Sequence, residues 1–166
     1  MKTLILLRHA EAAPATDDHA RELTGYGETQ AWQTGNWLHD SAYRPDFYLC
    51  STAMRTRQTL MGVLEAAGLD NVTGEMAEAL YNRHPAHYLQ TVNEAGRGDT
   101  LLLVGHNHDI CRLALDLSDR RNATLALRLI EANFPPATMA VLTADIENWS
   151  DLRERGASLV DLFMPV

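Results

Sequence analysis

The sequence predicts an α/β structure in layers around a largely parallel sheet with helices on both faces. Three observations carry that reading. Apolar runs at residues 4–7 (LILL) and 101–104 (LLLV) are too short for typical helices and read as strands buried on both faces. Segments with helical periodicity alternate with such runs along the chain. Gly68 and Gly96 fall where two of those helical patterns stop.

Taken in order, the first strand runs directly into Arg8 and His9, and a polar loop with Pro14 covers residues 11–22. Thr24 is placed to cap a helix that carries Ala31, Gly35 and Leu38 along one side. Phe47-Tyr48-Leu49-Cys50 reads as a second strand, followed by a helix with Leu60, Leu64 and Ala67 on one face. A further helix follows Pro85 and aligns Tyr88, Val92 and Ala95. The strand at 101–104 turns at Gly105 into a helix whose Ile110, Leu113, Ala114 and Leu117 form the clearest apolar stripe of the chain. Residues 123–132 alternate like a strand at Leu125, Leu127 and Leu129, but Leu, Ala, Arg and Glu favour a helix, ended by Pro135-Pro136. Residues 139–142 and 159–163 read as strands without a helix between them, so part of the sheet is expected to be antiparallel. No repeat or linker divides the 166 residues, and a single domain over 1–166 is expected.

Composition narrows the function. Lys and Arg number 14 against 22 Asp and Glu, a formal charge of −8. Such a surface opposes non-specific nucleic-acid binding, yet leaves room for a small cationic cleft. The N-terminal apolar stretch is broken by Arg8 and His9, shorter than a secretory core, and no run approaches the ~20 residues of a membrane helix. Cys50 and Cys111 are isolated, which indicates neither a disulfide framework nor a zinc site. The expectation is a cytoplasmic protein with no nucleic-acid or membrane partner; the sequence leaves the oligomeric state open, with a monomer favoured.

Both long apolar strands deliver a histidine, His9 and His106. Side by side and parallel, their carboxyl ends would bring the two imidazoles into one crevice, where open α/β sheets place ligands. Arg8 adds a fixed positive charge. Gly105 lets backbone approach a ligand, and the following helix N-terminus favours anions. Residues 51–59 (STAMRTRQT) follow another strand and put Arg55 in the first turn of a helix, an unfavourable place for a cation without an anion nearby. Arg57 reads as solvated. The combination points to chemistry on a phosphoryl group.

Arg8-His9, the segment from Arg21 through Glu, Leu, Thr, Gly and Tyr to Gly27, residues 51–59 and Gly105-His106-Asn107 together resemble the histidine phosphatase superfamily, which includes phosphoglycerate mutases and acid phosphatases. The short length looks most like its SixA-type phosphohistidine phosphatase branch. The resemblance implies a three-layer, phosphoglycerate mutase-like fold, with His9 as a nucleophile that forms a phosphohistidine intermediate. Arg8, Arg55 and His106 would hold the phosphoryl oxygens, and Arg21 matches a further anion-contacting arginine. Ala10 stands where the usual motif has glycine, a departure of one methyl. Glu78 falls where the family often places a proton-donating glutamate; the alternative is a surface carboxylate. The guanidiniums should keep His9 neutral near pH 7, and neither a metal nor a cofactor is required. The expected substrate is a phosphohistidine protein, such as a phosphotransfer domain or carrier, with a small sugar or nucleotide phosphate as the alternative.

Other readings fit less well. A cysteine phosphatase would need five residues between Cys50 and its arginine; four separate it from Arg55 and six from Arg57. His106, His108 and Asp109 lack the spacing of binuclear zinc motifs, and His84 and His87 are weak as a metal pair. His19, His39, His84, His87 and His108 read as mostly surface residues, with His84 and His108 available to a pocket rim. Trp32, Trp37 and Trp149 read as packing residues. A non-catalytic phosphate-binding module on the same fold is the remaining alternative.

Overall fold

The computed structural model describes residues 1–82 and 84–166, with the backbone alone at Pro85. Six strands, β1 (Lys2–Arg8), β2 (Phe47–Ser51), β3 (Thr73–Ala77), β4 (Thr100–Gly105), β5 (Met139–Ala144) and β6 (Ser158–Phe163), join in one sheet in the order β3-β2-β4-β1-β5-β6. The pairs β1–β4, β4–β2 and β2–β3 are parallel, whereas β5 is antiparallel to both β1 and β6. The sheet is therefore largely parallel, and β5 is its reversed strand.

The apolar runs become strands because both faces of the sheet are covered. Successive side chains point to opposite faces, so alternate residues of one strand feed two cores. Leu4 and Leu6 of β1 pack with Tyr88 and Val92 of α3 (Pro85–Ala95), Ile110 and Leu113 of α4 (Asp109–Leu117) and Leu129 of α5 (Ala123–Ala132). Ile5 and Leu7 pack on the other face with Ala31 and Leu38 of α1 (Gly25–Asp40) and Leu60 and Val63 of α2 (Met54–Ala67). β4 divides the same way, Leu101 and Leu103 to the first core and Leu102 and Val104 to the second. Each such leucine, fully removed from water, stabilises the fold by about 1.5–3 kcal/mol. Three layers result.

Local signals behave as expected at most helix ends. Thr24 accepts a hydrogen bond from the Gly27 N–H at 3.0 Å, and Gly68 closes α2 in the left-handed region at φ 68°. α5 ends earlier than the proline pair, at Asn133 with φ 54°. β3 was not expected: it is an edge strand, mostly exposed, with Gly74 and Glu75 in place of an apolar run. Short 3-10 turns at Asp18–Ala20, Glu78–Leu80 and Trp149–Asp151 were also unanticipated. The tryptophans largely pack: Trp149 is buried and donates through Nε1 to the Arg97 and Gly98 carbonyls, and Trp37 stacks on Phe163, while Trp32 stays half-exposed. Among the described residues no helix is long and apolar enough to cross a membrane.

The α1–α2 contact depends on Gly35. A Cβ there would lie 2.5 Å from the Ala66 methyl and 2.6 Å from the Val63 carbonyl oxygen, so the helices approach through its missing side chain. Alanine is the better helix former by ~1 kcal/mol, but overpacking a buried contact costs about 1–3 kcal/mol. Gly35→Ala is expected to lower unfolding free energy by ~1–2 kcal/mol in urea denaturation; equal or greater stability would show that the helices simply part.

Candidate active site

Parallel pairing of β1 and β4 sets Arg8 opposite Gly105, so the residues after them, His9 and His106, emerge together at the carboxyl end of the sheet. The His9 N–H donates to the Gly105 carbonyl at 3.1 Å, and the ring centroids lie 5.3 Å apart at 56°. The charges of Arg55, Arg8 and Arg21 act on His9 at the same place.

His9 Nδ1 lies 2.7 Å from the Ala10 carbonyl oxygen. A carbonyl only accepts, so Nδ1 carries the proton and Nε2 keeps its lone pair. Burial pushes the His9 pKa down to about 4; Arg55, Arg8 and Arg21 add to the depression, and the Ala10 bond opposes it. The sign agrees with the expectation from the guanidiniums, but burial is the larger cause. Ala10 is fully buried, its methyl in the α1–α2 core, and its N–H donates to Thr59 Oγ1 at 2.9 Å.

The guanidiniums are held from behind. Arg8 Nη1 donates to the Phe134 carbonyl at 2.9 Å in the turn after α5. Arg55, 3% exposed on the first turn of α2, donates Nη1 to the Asp18 carbonyl at 2.8 Å and Nη2 to the Asp18 carboxylate at 3.2 Å. Both Arg8 Nε and Arg55 Nε are buried without a hydrogen-bond partner among the described residues. Buried N–H donors left open on two cations suit an anion. Arg21 reaches the Ala13 and Ala12 carbonyls and Asp18 Oδ1. Arg57 is exposed, as expected.

His106 is buried and fixed at two points. Its Nε2 lies 2.7 Å from Ser51 Oγ at the end of β2, and its backbone N–H donates to the Tyr88 hydroxyl at 2.9 Å. Tyr88 in turn donates to the Leu80 carbonyl at 2.8 Å. The phenol packs on Gly105, where a Cβ would meet the hydroxyl at 2.6 Å, so this glycine makes room for the residue that orients its neighbour.

Other expected positions fall differently. Glu78 is exposed and lines a groove with Asn82, His87, Gln90 and Glu94, with no hydrogen bond or ring contact to His9 among the described residues. His84 is exposed and lines a groove over α4 with Leu89, Arg112 and Glu154, while His108 is exposed at the start of α4. His19, read as a surface residue, instead joins the site: Nε2 lies 2.9 Å from Thr52 Oγ1 and its ring meets Tyr81 edge-on at 4.8 Å. Tyr81 meets His106 edge-on at 5.8 Å and donates its hydroxyl to Asp18 at 2.8 Å. Asp18, Tyr81, Ser51 and Tyr88 carry contacts the sequence reading missed; only the Asp18–Arg21 spacing of three offered a local signal. Cys50 is buried, and burial raises its thiol pKa to about 12, consistent with a packing role. Among the described residues no three His, Cys, Asp or Glu side chains converge as a metal-binding group.

This is an α/β protein with two histidines side by side at the carboxyl end of a parallel strand pair. Residues 4–73 match the family model for the histidine phosphatase superfamily (branch 1). An uncharacterised protein of Mycobacterium tuberculosis is 35% identical over 164 residues, 96% of this chain and 99% of its own length. The phosphohistidine phosphatase SixA homolog of Haemophilus influenzae is 31% identical over 153 residues, covering 86% of this chain and 88% of that protein. A solved chain from Nakamurella multipartitia, provisionally assigned as a phosphohistidine phosphatase SixA, superposes with a TM-score of 0.82 at 33% identity, over 99% of this chain and 96% of that one. The chain belongs to the histidine phosphatase superfamily.

The His9 environment has a direct consequence for pH. With its pKa lowered, the imidazole stays neutral above pH 4 and protonates only below it. NMR titration of labelled His9 is expected to give a midpoint of about 4, well below the ~6.5 of a solvated histidine. A midpoint near the solvated value would contradict this electrostatic picture.

Proposed function

We propose that this chain is a phosphatase that works through a phosphoryl group carried on His9, and that its substrate is phosphohistidine on a protein such as a phosphotransfer domain or carrier. The observation that carries the reading is the state of His9. Its Nδ1 proton is committed to the Ala10 carbonyl, which leaves the Nε2 lone pair on a ring that feels the guanidinium charges of Arg55, Arg8 and Arg21.

In this reading Nε2 of His9 attacks phosphorus and forms a P–N bond while the substrate P–N bond breaks. The substrate ring, protonated from solvent on its other nitrogen, takes the bonding pair and departs as neutral imidazole. Water then attacks phospho-His9, its P–N bond breaks, and inorganic phosphate leaves with His9 neutral again. Phosphoryl transfer asks the protein mainly to position and to neutralise the equatorial oxygens. Arg8 and Arg55 are assigned that task, with His106 as a further oxygen partner and Arg21 supplying charge from the rim. The chemistry uses side chains alone, because the guanidiniums provide the positive charge a metal would otherwise supply.

The substrate class rests on the leaving group and on the relatives. Imidazole, with a conjugate-acid pKa near ~6.5, leaves far more readily than an alkoxide, so a strong general acid is dispensable. That fits Glu78, which is exposed and makes no hydrogen bond to His9 among the described residues. The name of the 31% identical Haemophilus influenzae relative supports the same substrate.

Incubation with a protein bearing labelled phosphohistidine is expected to leave acid-labile label on the wild-type chain and none on His9→Ala. Turnover by His9→Ala should fall on the order of a thousandfold or more; persisting turnover would sink the covalent mechanism, and phosphate binding without turnover by the wild type would indicate a binding module. Glu78→Gln tests the substrate separately. It is expected to change phosphohistidine hydrolysis less than about threefold, while hydrolysis of alkyl phosphates, if Glu78 donates a proton there, drops about a hundredfold. Efficient wild-type turnover of alkyl phosphates alone would replace the phosphoprotein with a small phosphate ester.

A further inference from the structure

Asp18 lies outside the catalytic set just proposed, yet it gathers more of the site than any residue in that set. Its Oδ1 accepts from Arg21 Nη1 at 3.3 Å, and its Oδ2 accepts from Arg55 Nη2 at 3.2 Å and from the Tyr81 hydroxyl at 2.8 Å. Its backbone carbonyl accepts from Arg55 Nη1 at 2.8 Å. The side chain of Arg55 is 4% exposed and that of Asp18 is 44% exposed, so the carboxylate stands where buried positive charge meets solvent. Tyr81, Arg55 and Arg21 hold Asp18 ionised, with its pKa lowered to about 2.

Two consequences follow from this arrangement. The carboxylate grips the outer edge of the Arg55 guanidinium and leaves Nε, buried and without a partner among the described residues, for the anion. It also sets one fixed negative charge against the three guanidiniums of Arg8, Arg21 and Arg55. A phosphoryl group still enters a positive site. The half-exposed Asp18 carboxylate faces the solvent side of this cluster, and a second anionic group attached beside the phosphoryl and directed to that side meets its charge.

We propose that Asp18 is a specificity-determining residue, whose clamped carboxylate admits phosphoryl groups borne on a neutral or cationic carrier such as imidazole and rejects those with a second anion beside the phosphoryl. The inference rests on the reading of this cluster as a phosphoryl site and deepens it by naming what excludes competing substrates. Repulsion between two unit charges a few ångströms apart at a solvated surface, reduced by screening, amounts to on the order of tenfold in affinity.

Calorimetric binding of methyl phosphate and 2-phosphoglycolate, which differ by a carboxylate, tests this in the wild type, Asp18→Asn and Asp18→Glu. Asp18→Asn is expected to improve phosphoglycolate relative to methyl phosphate about tenfold, while Asp18→Glu keeps the wild-type ratio. The ratio cancels any general loosening of Arg55, which would weaken both ligands together. A ratio within twofold of wild type in Asp18→Asn overturns the proposal, as does an equal shift in both variants, since charge would then not be responsible. Wild-type protein that binds neither ligand overturns the anion site itself. Because the readout is binding, a wild type that binds both ligands and hydrolyses no phosphohistidine defeats the proposed activity while the ratio still decides the role of Asp18.

Discussion

The parallel hydrogen bonding of β1 to β4, with Arg8 against Gly105, is the constraint on which the site depends. A shift of one residue would turn one histidine away from the other, because side chains alternate between faces. Leu4 through Leu7 are all buried, and four residues of β4 match them, so both cores specify that register. The rigid middle of the molecule thus sets the distance between two imidazoles, and neither depends on a loop for its starting point.

Around this frame the protein concentrates positive charge inside an otherwise acidic body. Three arginines are held by carbonyl oxygens of Phe134, Asp18, Ala12 and Ala13, groups that offer partial negative charge without a full counter-charge. A buried cation with unsatisfied donors costs free energy until a ligand arrives. The structure distributes that cost over several loops, which converge from the ends of β1, β2, β4 and α5. Proteins often accept local destabilisation of this kind where they bind and react.

How much of this was legible in the sequence follows from where the information resides. β1 and β4 announce themselves because a strand covered on both faces needs an unbroken apolar run. β3 does not, because an exposed edge strand makes no such demand on Thr73 to Ala77. His9, His106 and Arg55 were visible as polar residues immediately after strands. Tyr81 and Asp18 are 63 residues apart, and no periodicity or spacing signals a hydrogen bond across that distance. His19 looked like any polar loop residue until the 3-10 turn at Asp18–Ala20 brought it to Thr52.

The reversed strand β5 has a consequence for how the molecule comes into being. β1 is flanked on one side by β5, and the Arg8 N–H donates to Thr138, the His9 carbonyl accepts from Ala137, and the Arg8 guanidinium leans on Phe134, 126 residues later. The first residues of the site to be synthesised therefore wait for some of the last. Such long-range closure gives slow, high-contact-order folding, and a chain emerging from the ribosome carries both histidines before Arg8 can reach the Phe134 carbonyl. Full assembly of this cluster is tied to the arrival of residues 134–138.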